Sequence, residues 1–403
     1  RNAKKSGQNR KKGTIEYDII SNRQRQEHKK IYKLHKNGGY MESKKVLVAG
    51  SIVLDIIPEV YIPKGQPVPE IFLSEGKTTE CSYTHIYLGG EVGNTGLGLK
   101  KLGCDVRLVS KIGDDSVGEI VREILNRYDA DYTLIEMMGE QSSASVAIAL
   151  PGKDKMTLHS RGASQLFKAA DITDEMLEGV KLFHFGYPPS MKYLVEHEGE
   201  ELEDLLKNVK SKGITISLDM SLPDLKTFLG HVDWRPILQR ILPYVDLFLP
   251  SLEESIFFLH REDYVEMVRK AGANDLLDYI DIRGMAEKLA DELLEMGGTV
   301  VMLKCGHEGM YLRTAGKERW GNMGKAAPAS LTGWYDRKIW QKPVKVKRIL
   351  SRTGAGDIAI AGFLSSFLHE DNAKTALGIA AWAASICIQS YDTISGLCPL
   401  NEL

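Results

Sequence analysis

Cysteine is scarce and scattered in this chain: Cys81, Cys104, Cys305, Cys387 and Cys398 are the five among 403 residues, and no two form a CxxC pair. That spacing excludes a disulfide framework and a thiolate zinc site, and it predicts reduced thiols in a cytoplasmic protein. Long apolar runs are missing too. The two longest, around Ile358–Leu368 and Ala376–Ile388, fall short of the roughly 20 residues that cross a bilayer. They predict buried helices and no membrane partner. No pairing of a charged and an apolar region opens the chain, so no secretory signal is expected. No internal repeat is present. Two nucleotide motifs also fail. Glu75–Thr78 resembles the end of a phosphate-binding Walker A loop, but Ile71 stands where that loop needs glycine. The stretch GNTGLG at Gly93–Gly98 has its glycines in the wrong order for a dinucleotide fingerprint.

Charge is nearly balanced overall at -2, yet residues 1–45 carry 14 Lys/Arg against 4 Asp/Glu, leaving 38 against 50 in the remainder. Residues 1–40 are basic, Gln/Asn-rich and without apolar periodicity. They predict an extension outside the fold, disordered or non-native, with Met41 as a natural start for the domain of residues 41–403. Aromatic interleaving in this arm is slight, so a nucleic-acid partner is not expected.

What is abundant is alternation. Val46–Gly50 reads as a buried strand whose turn leads to Asp55. Four prolines between Pro58 and Pro69 and short alternating runs up to Leu88 suggest exposed strands, and Ala144–Leu158 suggests a hairpin. From Gly89 onward, and again beyond residue 180, buried strands alternate with helices such as Glu200–Lys212 and Met285–Met296. That order builds an α/β fold, a doubly wound and mostly parallel sheet with helices on both faces. Residues 322–346 read as an inserted loop or hairpin.

The stretch most informative about chemistry is SRTGAGDIAIAG, Ser351–Gly362. Three small residues precede Asp357 at the start of an apolar helix. Small residues leave backbone N–H groups free at a helix N-terminus, where the unsatisfied donors and the dipole favour an anion. From the residues alone two readings stand side by side. Asp357 is either an ordinary helix-capping acid or a base that takes a proton from an alcohol while the backbone stabilises a transferred phosphoryl group.

Together, GGEVGNTGLGLKKLGCDVRLVSKIGDDSVGE (Gly89–Glu119) and SRTGAGDIAIAGFL (Ser351–Leu364) resemble the two signatures of the PfkB, or ribokinase-like, carbohydrate kinase family. The resemblance runs from about Lys45 to the C-terminus. It implies a ribokinase-like fold with a small β-lid, drawn here from about 58–88 and 144–158. It implies ATP-dependent phosphorylation of a small carbohydrate hydroxyl, with ATP and Mg²⁺ as cofactors. By the same resemblance Asp357 is the base, and Gly354, Ala355 and Gly356 line the anion hole. Asp55, Gly89, Gly90 and Asn94 bind the sugar; Lys304, Gly306 and Gly309 touch the nucleotide; Glu254 positions the metal, with Asp219 as a second candidate. A homodimer through the lid, as in some relatives, stays open. So do a nucleoside kinase of the same fold and a sugar-binding regulatory protein with weakened catalysis.

Several positions depart from the family pattern. Ser251 replaces the Asn of its NxxE motif, Ser351 and Arg352 replace an Asp and a Thr, and Glu91 stands where ribokinases often place Lys. The loss of an acid at Ser351 predicts a reaction that does not need K⁺. Arg161, in HSRGAS, faces either a substrate phosphate or a surface acid.

Overall fold

Val46, Leu47, Val48 and Ala49 are fully buried, as a run apolar on both faces requires of a central parallel strand. They form β1 (Lys45–Gly50) of a computed structural model that describes residues 44–60, 76–148, 156–272 and 274–402. The basic arm, Met41, Pro63, Pro67, Pro69 and the link between the two strands of the 144–158 hairpin lie outside the described residues.

In chain order the further strands are β2 (Val53–Val60), β3 (Cys81–Gly89), β4 (Val106–Gly113), β5 (Asp131–Met137), β6 (Ala144–Ile148) and β7 (Met156–Ser160). They continue with β8 (Val180–Gly186), β9 (Thr215–Asp219), β10 (Leu247–Phe248), β11 (Val300–Lys304), β12 (Met310–Thr314) and β13 (Lys338–Gln341). Nine of them form one sheet in the order β13-β12-β11-β10-β9-β8-β1-β4-β5. All neighbours are parallel except at β11–β12 and β12–β13, where the 322–346 segment adds an antiparallel edge strand. From β1 the chain winds to β4 and β5 on one side, then to β8 through β11 on the other. The order therefore reverses between β1 and β8, which pair from end to end as far as Gly50 opposite Gly186. Ligands of doubly wound sheets bind beyond the carboxyl ends of the strands at such a reversal.

Helices pack around this sheet. The principal ones are α1 (Leu97–Lys101), α2 (Ser116–Arg127), α3 (Glu200–Ser211), α4 (Trp234–Ile241), α5 (Leu252–Leu259), α6 (Ile282–Glu295), α7 (Ala355–Leu368) and α8 (Ala373–Cys387). In α3 the buried residues Leu202, Leu205, Leu206 and Val209 recur on one face, with Glu200, Glu201 and Glu203 in the first turn and Lys210 in the last. The two apolar runs of the sequence are α7 and α8, buried on nearly every side. Among the described residues no helix is long and apolar enough to cross a membrane.

The other four strands make a second sheet in the order β3-β2-β6-β7. It begins earlier than the sequence suggests, because Asp55 lies within β2 and not on a turn. Side chains alternate across a strand, and the register uses that to make two unlike faces. On one, Tyr87, Asp55, Ser145 and His159 form a row across all four strands. On the other, the neighbouring row is Ile86, Ile56, Val146 and Leu158.

Candidate active site

A cavity of about 610 Å³ lies between the two sheets. Its walls include Asp55, Ser145 and His159 from the polar face of the small sheet, Gly90 and Asn94 from the glycine-rich segment, Tyr187 after β8, and Gly354 and Asp357 at the start of α7. Elements distant in sequence thus meet where the strand order reverses. A larger open groove of about 820 Å³ beside α6 contains none of the expected residues. Its Glu292 is already held by Arg235 at 2.5 Å and His260 at 2.9 Å.

Helix α7 starts from Gly354, whose left-handed φ of 71° and lack of a side chain suit the turn; a Cβ there would collide with Thr393. No side chain caps the helix. Asp357 is the third residue of α7, and its carboxylate is held by side chains from elsewhere in the fold. Asn94 Nδ2 donates to Oδ2 at 2.6 Å, and the Tyr187 hydroxyl donates to Oδ1 at 2.6 Å. Thr393 Oγ1 in turn donates to Asn94 Oδ1 at 3.0 Å, which sets the amide orientation. Burial, reinforced by the Asp357 charge, holds the Tyr187 hydroxyl well above its ordinary pKa, so it remains a donor. The simple capping role for Asp357 is therefore not what this geometry shows. The carboxylate is buried and aimed at the cavity, beside an N-terminus whose backbone donors have no side-chain cap.

Asp55 reaches the same cavity from β2. Gly89 makes room for it, since a Cβ at that position would overlap Asp55 Oδ2. Gly90, also left-handed at φ 72°, carries the chain from β3 towards Asn94. These four expected sugar ligands are thus brought together.

Beyond Asp357 lies a buried charge cluster that only folding assembles. Lys304, the last residue of β11, donates to Asp219 Oδ1 at 2.6 Å, and its methylenes lie over Gly356. Burial alone would lower the Lys304 pKa, but the carboxylates of Asp219 and Glu254 hold it above its usual range. Lys304 is therefore a cation embedded among acids. Gly306 and Gly309 make the left-handed turn that follows, at φ 54° and 94°. Glu254 sits in the first turn of α5, where Ser251 caps the helix. Glu254 Oε2 accepts from Ser251 N at 2.6 Å, and Ser251 Oγ accepts from Glu254 N at 3.1 Å. This capping box accounts structurally for the Ser that replaces Asn.

Sequence reasoning gave Tyr187, Thr393 and His184 no role and took Glu91 only as a departure. Glu91 Oε1 and His184 Nε2 lie 2.6 Å apart and are fully buried, and His184 Nδ1 is 2.9 Å from Ser217 Oγ. Burial and the nearby Asp357 push Glu91 up to about 8, while burial and Lys304 push His184 down to about 3. Both shifts favour the neutral forms, in which the Glu91 carboxyl donates to Nε2 and Nδ1–H donates to Ser217 Oγ. Glu91, Asp219 and Asp357 each place one oxygen within 4.8 Å of the others. A tyrosine directly after a strand, in HFGYPPS, was the one local signal for Tyr187; nothing local marks the others.

Comparison with known proteins shows the family and the fold. Residues 43–399 match the pfkB family of carbohydrate kinases. A sugar kinase of Archaeoglobus fulgidus is 23% identical over 75% of this chain and 98% of its own length. A fructokinase of Rhizobium leguminosarum bv. trifolii is 24% identical over 73% of this chain and 76% of its own. Among solved structures, a ribokinase II of E. coli in complex with ATP and Mg²⁺ superposes with a TM-score of 0.63 at 17% identity, over 89% of this chain and 97% of that one.

Proposed function

The chain belongs to the pfkB family of carbohydrate kinases, and we propose that it transfers the γ-phosphoryl group of ATP to a hydroxyl of a small sugar held in the 610 Å³ cavity. One observation carries this reading. Asp357, a buried acid oriented by two donors, faces a cavity rich in hydroxyl-binding groups and adjoins an uncapped helix N-terminus. Asp55 and Asn94 bind and orient the sugar, since carboxylate and amide groups match vicinal hydroxyls. Asp357 takes the proton of the reacting hydroxyl as its oxygen bonds to the γ-phosphorus, and the bond from that phosphorus to the bridging oxygen breaks, releasing ADP. The backbone of Gly354, Ala355 and Gly356 stabilises the charge that develops on the phosphoryl oxygens. Lys304, Gly306 and Gly309, at the end of β11, take the nucleotide phosphates.

Mg²⁺ would neutralise phosphate charge when bound. The acids at this end of the sheet fit a cation: Asp219 Oδ2 is buried without a protein partner, and Glu254 is close enough to raise the Lys304 pKa. Asp219 and Glu254 would hold it. The apolar outer row of the small sheet, with Leu158 72% and Ile86 46% exposed, supports a homodimer formed through that lid.

The test is ADP release with purified protein, ATP and Mg²⁺ over a panel of sugars, sugar acids, sugar phosphates and nucleosides. Turnover with a sugar-type acceptor is expected. Turnover with nucleosides alone, or with no acceptor in the panel, overturns the proposal.

A further inference from the structure

Arg161 is the one permanent cation among the described residues that line the cavity, and no salt bridge among the described residues pairs it. Its Nη1 is buried without a hydrogen-bond partner. No carboxylate stands within ion-pair distance among the described residues. Asp224, on the same cavity wall, is the acid whose charge reaches it, but an Asp224 oxygen is engaged by the Lys226 N–H at 2.9 Å. Burial lowers the Arg161 pKa and Asp224 offsets that only in part. A guanidinium held in this way is costly without a partner, and a charge-assisted bond to an anion relieves the cost.

The mount of Arg161 is rigid. It follows the last residue of β7, and its carbonyl accepts from Ser143 Oγ. The next residue, Gly162, has φ 49° and sits so close to the chain that a Cβ would lie 2.5 Å from Gln141 O. Ala163 N then donates to the same Gln141 carbonyl at 2.7 Å. The backbone here is therefore held against a neighbouring strand connection, and the side chain lines the cavity with its Nη1 buried. His159 and Ser145, bonded to each other at 2.9 Å, stand beside it as further polar groups of the wall.

We propose that the acceptor carries an anionic group, a carboxylate or a phosphate, which Arg161 binds while Asp357 attends to the reacting hydroxyl. This rests on the reading of the cavity as the acceptor site. The acceptor class is then sugar acids or sugar phosphates, not neutral sugars. Arginine suits either group because its planar fork can donate two parallel bonds.

The experiment compares matched pairs, gluconate with glucose and fructose 6-phosphate with fructose, by ADP release in the wild type, Arg161→Met and Arg161→Lys. In the wild type the charged member of at least one pair should exceed its neutral counterpart in kcat/KM by about tenfold or more, as expected for a charge-assisted bond. Arg161→Met should collapse that ratio towards one, and Arg161→Lys should restore part of it. Preference confined to gluconate identifies a carboxylate, and preference confined to fructose 6-phosphate identifies a phosphate. Equal kcat/KM within both pairs overturns the anion while leaving the sugar kinase reading intact. If no acceptor releases ADP, that reading fails on its own. Thermal protection by gluconate or inorganic phosphate then decides the subsite: protection lost in Arg161→Met supports it, and no protection of the wild type overturns it.

Discussion

The two ends of the cavity are built on opposite principles. At the α7 end, Asp357, Asn94 and Thr393 form a chain of hydrogen bonds, Tyr187 adds a second donor to the carboxylate, and Asp357 and Asn94 are buried. At the small-sheet end, Arg161 is half-buried with a buried Nη1 unpartnered, and β7 is exposed along its whole length. Full satisfaction fixes geometry, which proton transfer requires; an unsatisfied group waits for a ligand, which discrimination requires. On the proposed reading, the α7 end is the place for the phosphoryl transfer, and the small-sheet end the place where this chain selects its acceptor.

The largest effect expected on this comparison is at Asp357. Asp357→Asn keeps the size and removes the proton acceptor, so kcat should fall by about 10²–10⁴-fold with nucleotide affinity nearly unchanged. Steady-state kinetics and ATP titration check this, and a variant that keeps a tenth of the wild-type rate would erase the contrast. Next is Asp55, which belongs to the same cavity but to the polar row of the small sheet. Asp55→Ala should raise the acceptor KM and lower kcat/KM by the equivalent of about 1–3 kcal/mol, leaving the KM for ATP in place. An equal loss of ATP binding would move Asp55 out of the acceptor site.

A smaller effect comes from the buried pair behind Asp357. Glu91 binds its proton more tightly folded than unfolded, being raised from 4.5 to about 8, so its contribution is complete below about 4.5 and is lost as pH rises towards 8. His184 is lowered from 6.5 to about 3, so its contribution is complete above 6.5 and is lost as pH falls towards 3. Between 4.5 and 6.5 the two slopes oppose each other. Above 6.5 only the Glu91 slope remains, at most about 1.4 kcal/mol per pH unit. Glu91→Gln, which keeps a donor towards His184, should flatten the fall in melting temperature between pH 6.5 and 8, and scans across that range read it directly. The smallest effect expected is that of K⁺. Ser351 carries no charge, its Oγ accepts from Thr353 N at 3.1 Å, and Arg352 is exposed. Exchanging K⁺ for Na⁺ at fixed ionic strength should change kcat by less than about twofold, under roughly 0.4 kcal/mol. A tenfold stimulation by K⁺ would show that backbone carbonyls there hold a cation without the acid.

Periodicity was enough to read the sheet, because β1 is apolar on both faces, β8 is buried along nearly its whole length, and α3 repeats its leucines on one face. It placed the strand run 53–60 less well. Val53–Val60 contains Pro58 and carries its two acids, Asp55 and Glu59, on one face, and a short half-exposed strand interrupted by a proline looks like a loop. The glycine motif at Ser351–Gly362 was legible for a local reason: a helix start that must leave backbone donors free has to be written in small residues next to one another.

The sequence by itself determined the α/β winding, the helix that presents Asp357, and the family to which the chain belongs, since each depends on residues close together along the chain. Only the tertiary structure decided which groups surround that acid. Tyr187 stands 170 residues from Asp357, Asn94 stands 263, and Lys304 stands 85 from Asp219. No period or motif links such positions. They meet because strand order reverses between β1 and β8, bringing the ends of separate strands to one crevice. The same folding step brings to the cavity wall Arg161, which the sequence left open between a substrate phosphate and a surface acid. Arg161 follows directly on β7, whose pairing with β6 as far as Ser160 opposite Ala144, together with the turn at Gly162 against Gln141, brings it to the cavity wall.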